Sequence, residues 1–487
     1  MVAVRDEEGA LTFAELLDGA CRLIQGLADR GVGRGSVVSA QVHNLREFAY
    51  LVAASSLGGF ILSPINPKLT VDDVEEILRR SGSRVLVSSM DPIAIPDGRI
   101  HVAIGRAPVD GEIDLAGLMS DHAELPAEPD PDDAVVMLMT SGTEGRPKLV
   151  VHSHASYWRS TVPVIERAKL DVDDVVLVAV PVTSSTGMHG LLYTGLAAGC
   201  RTVLLDGWDV VHCADIIENE GVTFSIAPAT ILFDLLGQAK KTGADLTSLR
   251  LFVCGGAPIP RTLVVECTEV LSCDIVPMYG ASEVLAATMG IPGESAERLT
   301  TTDGRALEGV ELQARLADGT VAGVGQEGEL WVRGVTLFSE YFNDPEQTHQ
   351  VLVDGWCRTG DLATVDAEGY VDIRDRLKDI VVRGGLNVSS REVELVLVQH
   401  ESVAAVSIVG TPDERLGERI CAVVVPVPGA KVELGELAEF ARQAGLSKQK
   451  WPERLVCMQE LPTNPTGKIL KRELRRQLAD EGKRATS

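Results

Sequence analysis

From residue 37 to residue 278 the chain alternates short apolar runs with longer amphipathic ones. That alternation limits the fold more than any other feature, because strands that alternate with helices form mainly parallel sheets with helices on their faces. Thr12 with Glu15 three positions on makes a capping box, and Leu16, Leu17, Ala20, Leu23, Ile24 and Leu27 then recur at helical spacing. A strand at 37–42, a mostly apolar helix over 47–62, a helix over 71–81 capped by Thr70, and a strand at 84–88 follow. The pattern resumes with strands at 175–182, 202–205, 223–227, 249–254 and 274–278, separated by helices at 187–198 and 213–220 and from 230 and 261. Beyond about Gly304, short alternating strands broken by Gly and Asp predict a small β-rich subdomain. The stretch from Lys378 mixes a hairpin (380–388), a helix (391–400), strands and a closing basic helix (469–478). The expected fold class is therefore α/β in a large N-terminal part, followed by a smaller α+β part.

Charge narrows the partners. A net charge of -25 opposes non-specific nucleic-acid binding, which rests on neutralising phosphates. The stretch from Lys378 onward is the exception, with 17 Lys/Arg against 15 Asp/Glu. A locally cationic lid on an acidic body favours a polyanionic ligand, although a solvated helix face accounts for residues 471–476 equally well. Nine cysteines lie scattered with no CxxC pair, so neither a disulfide framework nor a zinc site is indicated. The N-terminus lacks an apolar signal core, and no run approaches the roughly 20 apolar residues of a membrane helix. A cytoplasmic protein is expected.

Residues 134–139 read as a buried strand, and Thr140-Ser141-Gly142-Thr143-Glu144-Gly145-Arg146-Pro147-Lys148 as the turn that leaves it. Gly142 and Gly145 let the backbone approach an anion, the hydroxyls of Thr140, Ser141 and Thr143 add donors, and Lys148 supplies a cation. Such a loop can hold a triphosphate. It departs from the P-loop pattern, since Leu149-Val150 follows where Lys-Ser/Thr should open a helix. A second strand end carries Tyr279-Gly280-Ala281-Ser282-Glu283, where open α/β sheets bind ligands. A carboxylate beside a phosphate loop is a Mg²⁺ ligand candidate. In Gly255-Gly256-Ala257-Pro258 the small side chains can admit a flat purine. Asp361, in Arg358-Thr359-Gly360-Asp361, suits ribose hydroxyls, and Lys468 ends the Pro/Gly loop 462–468. Each has a plainer reading taken alone: a solvated turn, an exposed turn acid, a solvent lysine.

In this order and at these separations, the segments resemble the adenylate-forming enzymes: acyl-CoA synthetases, peptide-synthetase adenylation domains and luciferases. The similarity spans nearly the whole chain. It adds Arg376-Leu377-Lys378-Asp379 running into Gly384-Gly385-Leu386-Asn387. The resemblance implies an ATP-dependent acid–thiol ligase with ATP, Mg²⁺ and coenzyme A. It implies an N-terminal AMP-binding domain (1–377) and a mobile C-terminal domain (378–487) hinged at Lys378. By position, residues 140–148 would hold phosphates and Glu283 Mg²⁺. Gly256, Ala257, Tyr279, Gly280 and Ser282 would line the nucleotide site, with Asp361 and Arg376 on the ribose. Lys468 would meet the reacting carboxylate and α-phosphate, and the Gly384-Gly385 hairpin would give thiol access.

Two departures bear on function. The family usually has Gly after the loop lysine, and Leu149 is expected to stiffen the loop or crowd the phosphates. Many acyl-CoA synthetases carry an aromatic-flanked His where Ser184 stands. With Ser184, Ser185 and Gly187 in its place, a roomier acyl pocket and a bulky alicyclic or polycyclic acid are expected. His189 is read as a packed helix histidine ahead of a substitute gate, and His152 and His154 as structural. Three alternatives stay open: an adenylation-impaired enzyme that only converts supplied acyl-AMP, a carrier-protein ligase, and a non-catalytic adenylate or CoA binder. Homodimerisation is also left open.

Overall fold

The computed structural model describes residues 1–92, 98–140, 148–255, 261–463 and 469–485. They divide into two compact units, one of Met1–Leu312, Val332–Arg358 and Glu368–Tyr370, the other of Gln313–Trp331, Thr359–Ala367 and Val371–Ser487. The architecture is mixed α/β, with a large N-terminal part, a stretch of short antiparallel strands and a smaller C-terminal part. Among the described residues no helix is long and apolar enough to cross a membrane.

Two mixed sheets build the first unit. In the eight-stranded sheet the strands Val37–Gln41, Ile61–Ile65, Val85–Ser88, Ile100–Ala103, Glu112–Asp114 and Ala134–Thr140 are parallel to their neighbours. The strand Lys148–Ser153 then turns back antiparallel on Ala134–Thr140, with Thr140 opposite Lys148. Glu340–Tyr341 adds antiparallel to its far edge, pairing Tyr341 with Val150. The nine-stranded sheet repeats the scheme. Its parallel core ends at Asp274–Ala281, on which Leu285–Met289 folds back antiparallel. The strand ends that carry Thr140 and Ser282-Glu283 thus lie where a parallel sheet changes to an antiparallel pair. Gly280 is required at the second, since a Cβ there would lie 2.0 Å from the Leu285 carbonyl oxygen.

The strand Asp274–Ala281 runs three residues beyond the predicted 274–278, so Tyr279 and Gly280 lie within a strand rather than after it. The pairing partner that extends it follows in sequence and leaves no local signal. Residues 186–193 form a π-helical turn that passes into an α-helix at Thr194.

In the second unit, Val381–Arg383 and Leu386–Val388 form a hairpin whose two turn residues, Gly384 and Gly385, have φ of 57° and 83°. Two successive positive φ values suit glycine. The long strands Val403–Asp413 and Gly417–Pro426 alternate with period two, and both faces are covered. Val406, Ile408, Ile420 and Ala422 pack with Val393, Leu397 and Leu437 from two helices. Val409, Cys421 and Val423 pack with Leu474 and Leu478 of the closing helix Lys471–Ala485.

That closing helix is also fastened by charge. Lys471 Nζ lies 2.8 Å from Glu394 Oε1 and donates to Ser390 Oγ at 2.5 Å. Ser390 Oγ in turn donates to Asp375 Oδ2 at 3.0 Å. Burial raises the pKa of Glu394, opposed by Lys471. Removing one member of a buried pair leaves the other uncompensated, so Glu394→Gln should cost about 3 kcal/mol of stability. Chemical denaturation would register it as a lowered midpoint. Adding Lys471→Met should recover part of the loss.

Candidate active site

The strand Lys148–Ser153 is tied to Ser282 and Glu283 directly and through Tyr341. His152, on the strand that leaves the phosphate loop, is fully buried, and its Nε2 donates to the Ser282 carbonyl oxygen at 2.6 Å. Burial pushes its pKa down to about 4, so the ring is neutral near pH 7. Tyr341 donates its hydroxyl to Glu283 Oε1 at 2.8 Å. Lys148 Nζ lies over the Tyr341 ring, 4.7 Å from its centroid. Lys148 and Glu283 therefore come from different sheets and meet at one tyrosine.

Glu283 is the carboxylate that could take Mg²⁺. Among the described residues no group of three or more His, Cys, Asp or Glu could cage a metal. Mg²⁺ commonly binds one or two protein carboxylates and fills its octahedron with water and substrate phosphates. A single half-buried glutamate, with one oxygen on a tyrosine hydroxyl, fits that donor set.

In the second unit the strands Trp356–Val365 and Val371–Arg376 place Asp361 opposite Arg376. Arg376 Nε lies 3.0 Å from Asp361 Oδ1, with the Asp361 side chain 5% exposed. The two residues assigned to ribose are thus paired. Lys378 sits in a 3₁₀ turn, Leu377–Asp379, where burial lowers its pKa with help from Arg376.

Ser184 folds back on its own backbone: its hydroxyl donates to the Pro181 carbonyl at 2.7 Å and accepts from Gly187 N–H at 3.0 Å. Ser185, half-buried beside it, is the N-cap of the π-helical turn, and a Cβ at Gly187 would sit 2.1 Å from the Pro181 oxygen. His189 is packed, 3% exposed, with Nε2 2.7 Å from Ser160 Oγ and its ring near Tyr157 and Tyr193. Burial lowers its pKa to about 3.

Leu149 is expected on sequence to stiffen the loop or crowd the phosphates. Its side chain instead belongs to an apolar cluster with Val37, Ile61, Met137 and Val151. Crowding has no basis in that position. Ser141, Gly142, Thr143, Glu144 and Gly145 of the phosphate loop, Gly256 and Ala257, and Lys468 lie outside the described residues. Tyr341 and the His152–Ser282 bond are absent from the sequence reading. Nothing in Phe338-Ser339-Glu340-Tyr341 as a sequence speaks of a partner 58 residues upstream.

Comparison with known proteins agrees with this geometry. The family model for AMP-binding enzymes matches residues 1–342, and that for the AMP-binding enzyme C-terminal domain matches 392–468. The chain therefore belongs to the AMP-binding enzyme family, the adenylate-forming enzymes. Among curated relatives, it is 32% identical to the medium-chain fatty-acid–CoA ligase of Escherichia coli, over 98% of this chain and 88% of that one. It is 31% identical to a 7a-methyl-1,5-dioxo-octahydro-inden-4-yl propanoyl:CoA ligase of Rhodococcus jostii, over 98% and 95%. The crystal structure of ATP-bound MatB from Rhodopseudomonas palustris superposes with a TM-score of 0.90 at 26% identity, covering 98% of this chain and 96% of that one. The curated relatives named here are acid–thiol ligases of the AMP-forming type.

Proposed function

We propose that the chain is an ATP-dependent acyl-CoA ligase that activates a hydrophobic, ring-bearing carboxylic acid as acyl-AMP and passes the acyl group to CoA. The observation that carries the reading is the meeting of Lys148 and Glu283, a cation and a carboxylate from separate sheets, at Tyr341. Triphosphate recognition needs both charges side by side. The paired Asp361 and Arg376, which this reading assigns to the ribose hydroxyls, are consistent with it.

A carboxylate is a poor electrophile, because its charge repels nucleophiles and its oxygen leaves badly. Joining it to AMP removes both faults. The reacting carboxylate and α-phosphate are anions, so a cation between them and fixed positions for each lower the barrier. In this reading Lys468 is that cation, Lys148 and the loop 140–148 hold the β- and γ-phosphates, and Glu283 takes Mg²⁺. Bound there, Mg²⁺ would neutralise phosphate charge. Gly256 and Tyr279 would flank the base, with Ala257, Gly280 and Ser282 also lining the nucleotide site. For thiol attack the C-terminal domain, 378–487, would turn about Lys378, withdrawing Lys468 and presenting Gly384-Gly385. CoA is the expected thiol.

The preference for a bulky acid rests on Ser184, Ser185 and Gly187. Small side chains, one of them turned back on Pro181, replace an aromatic gate, and the packed His189 offers no substitute for it. A relative that acts on a fused-ring propanoate agrees with that preference. Pyrophosphate release with ATP and a panel of acids, with and without CoA, tests both claims. Ring-bearing acids should be turned over at least tenfold faster than acetate. Comparable turnover would defeat the pocket argument. Release from no acid, together with conversion of supplied acyl-AMP to thioester, would favour the adenylation-impaired reading instead.

A further inference from the structure

Tyr341 reaches the candidate site from a third segment, and everything around it is fixed. Its strand pairs antiparallel with Lys148–Ser153, and Phe342 N–H donates to the Leu149 carbonyl at 2.8 Å. Its own N–H donates to Thr348 Oγ1 at 2.9 Å. Phe338 N–H donates to the Glu283 carbonyl at 2.9 Å, so the segment grips the backbone of the residue whose carboxylate Tyr341 touches. The Tyr341 ring is 3% exposed and packs on Phe338 at a centroid distance of 4.8 Å. It has little freedom to leave.

Two contacts then issue from one side chain. The hydroxyl donates to Glu283 Oε1, which restrains one oxygen of the carboxylate. The ring face carries Lys148 Nζ. A cation resting on an aromatic face is attracted by the ring's π electrons, which favours one seat for a flexible side chain. Glu283 and Lys148 each contact the same tyrosine.

We propose that Tyr341 is a positioning residue for MgATP: its hydroxyl orients Glu283 for the divalent cation, and its ring seats Lys148 for the phosphates. The inference rests on the nucleotide reading given under Proposed function. It divides one residue into two separable parts. Loss of an outer-sphere partner of a metal ligand typically lowers metal affinity by about 10- to 100-fold. The ring effect needs no metal.

Equilibrium ATP binding, measured by calorimetry in EDTA and across a Mg²⁺ titration, separates the parts. Tyr341→Phe keeps the ring, and should bind metal-free ATP within about twofold of wild type while needing about 10-fold more Mg²⁺ for half-maximal enhancement. Tyr341→Leu should also weaken metal-free binding by about threefold or more. Thermal melting of each variant checks folding, and if Tyr341→Leu does not fold, Tyr341→Phe alone decides. A Tyr341→Phe protein with the wild-type Mg²⁺ dependence overturns the inference. So does one whose metal-free and metal-bound affinities fall together, which is the pattern of a merely structural role. If wild type itself showed no Mg²⁺-enhanced ATP binding, the nucleotide reading would fail first and take this one with it.

Discussion

Lys468→Ala is expected to lower acid-dependent pyrophosphate release by about 10²- to 10³-fold, the usual effect of losing one group that stabilises charge in a transition state. Conversion of supplied acyl-AMP to acyl-CoA should stay within a few-fold of wild type. The asymmetry is the informative part. Only the first half-reaction brings two anions together, so only it needs a cation at that position. A stopped assay of both half-reactions on the same preparation checks the ratio. Equal loss in the two would mean that the substitution had damaged the fold, or that Lys468 serves both steps, and either would defeat the assignment.

The second large effect is on stability in acid. His152 and His189 are both buried and neutral, with pKa values lowered by burial to about 4 and about 3. An unfolded histidine titrates near 6.5. Below that pH the unfolded chain binds protons that the folded chain refuses, so stability is fully present above about 6.5 and is lost as pH falls toward the folded values. Each group should cost on the order of 3 kcal/mol by pH 4. Between pH 6.5 and 5 most carboxylates are still charged, which makes this window diagnostic. Thermal melting across it should show a steep fall in Tm for wild type. Replacing His189 by Asn should flatten the slope even where it lowers Tm at pH 7.5. An unchanged slope would mean that the ring is protonated in the folded state.

Much of the fold was readable because local chemistry announced it. Thr12 and Glu15 form the predicted capping box, with Thr12 N–H donating to Glu15 Oε2 at 2.8 Å. Thr70 caps its helix, and the hairpin at Gly384-Gly385 is where two glycines between strand-like runs must turn. What escaped depended on partners far away in sequence. The strand to Ala281 is lengthened by pairing with Leu285–Met289, and the π-helical turn at 186–193 leaves an apolar pattern indistinguishable from an ordinary helix. Leu149 illustrates the same gap: residue type alone suggested steric crowding, but its place in a strand sends the side chain into the core. In the site, candidate residues for phosphate, metal and ribose could be proposed from motif order. The tyrosine that joins two of them could not.

The C-terminal sheet has an apolar cover on each face, supplied by helices of its own unit. If this domain turns about Lys378 as proposed, a body built this way would carry its interior along. The change between half-reactions would then lay little nonpolar area bare to water, and its signature would be a small heat-capacity change, unlike that of a flap which folds only on meeting its ligand.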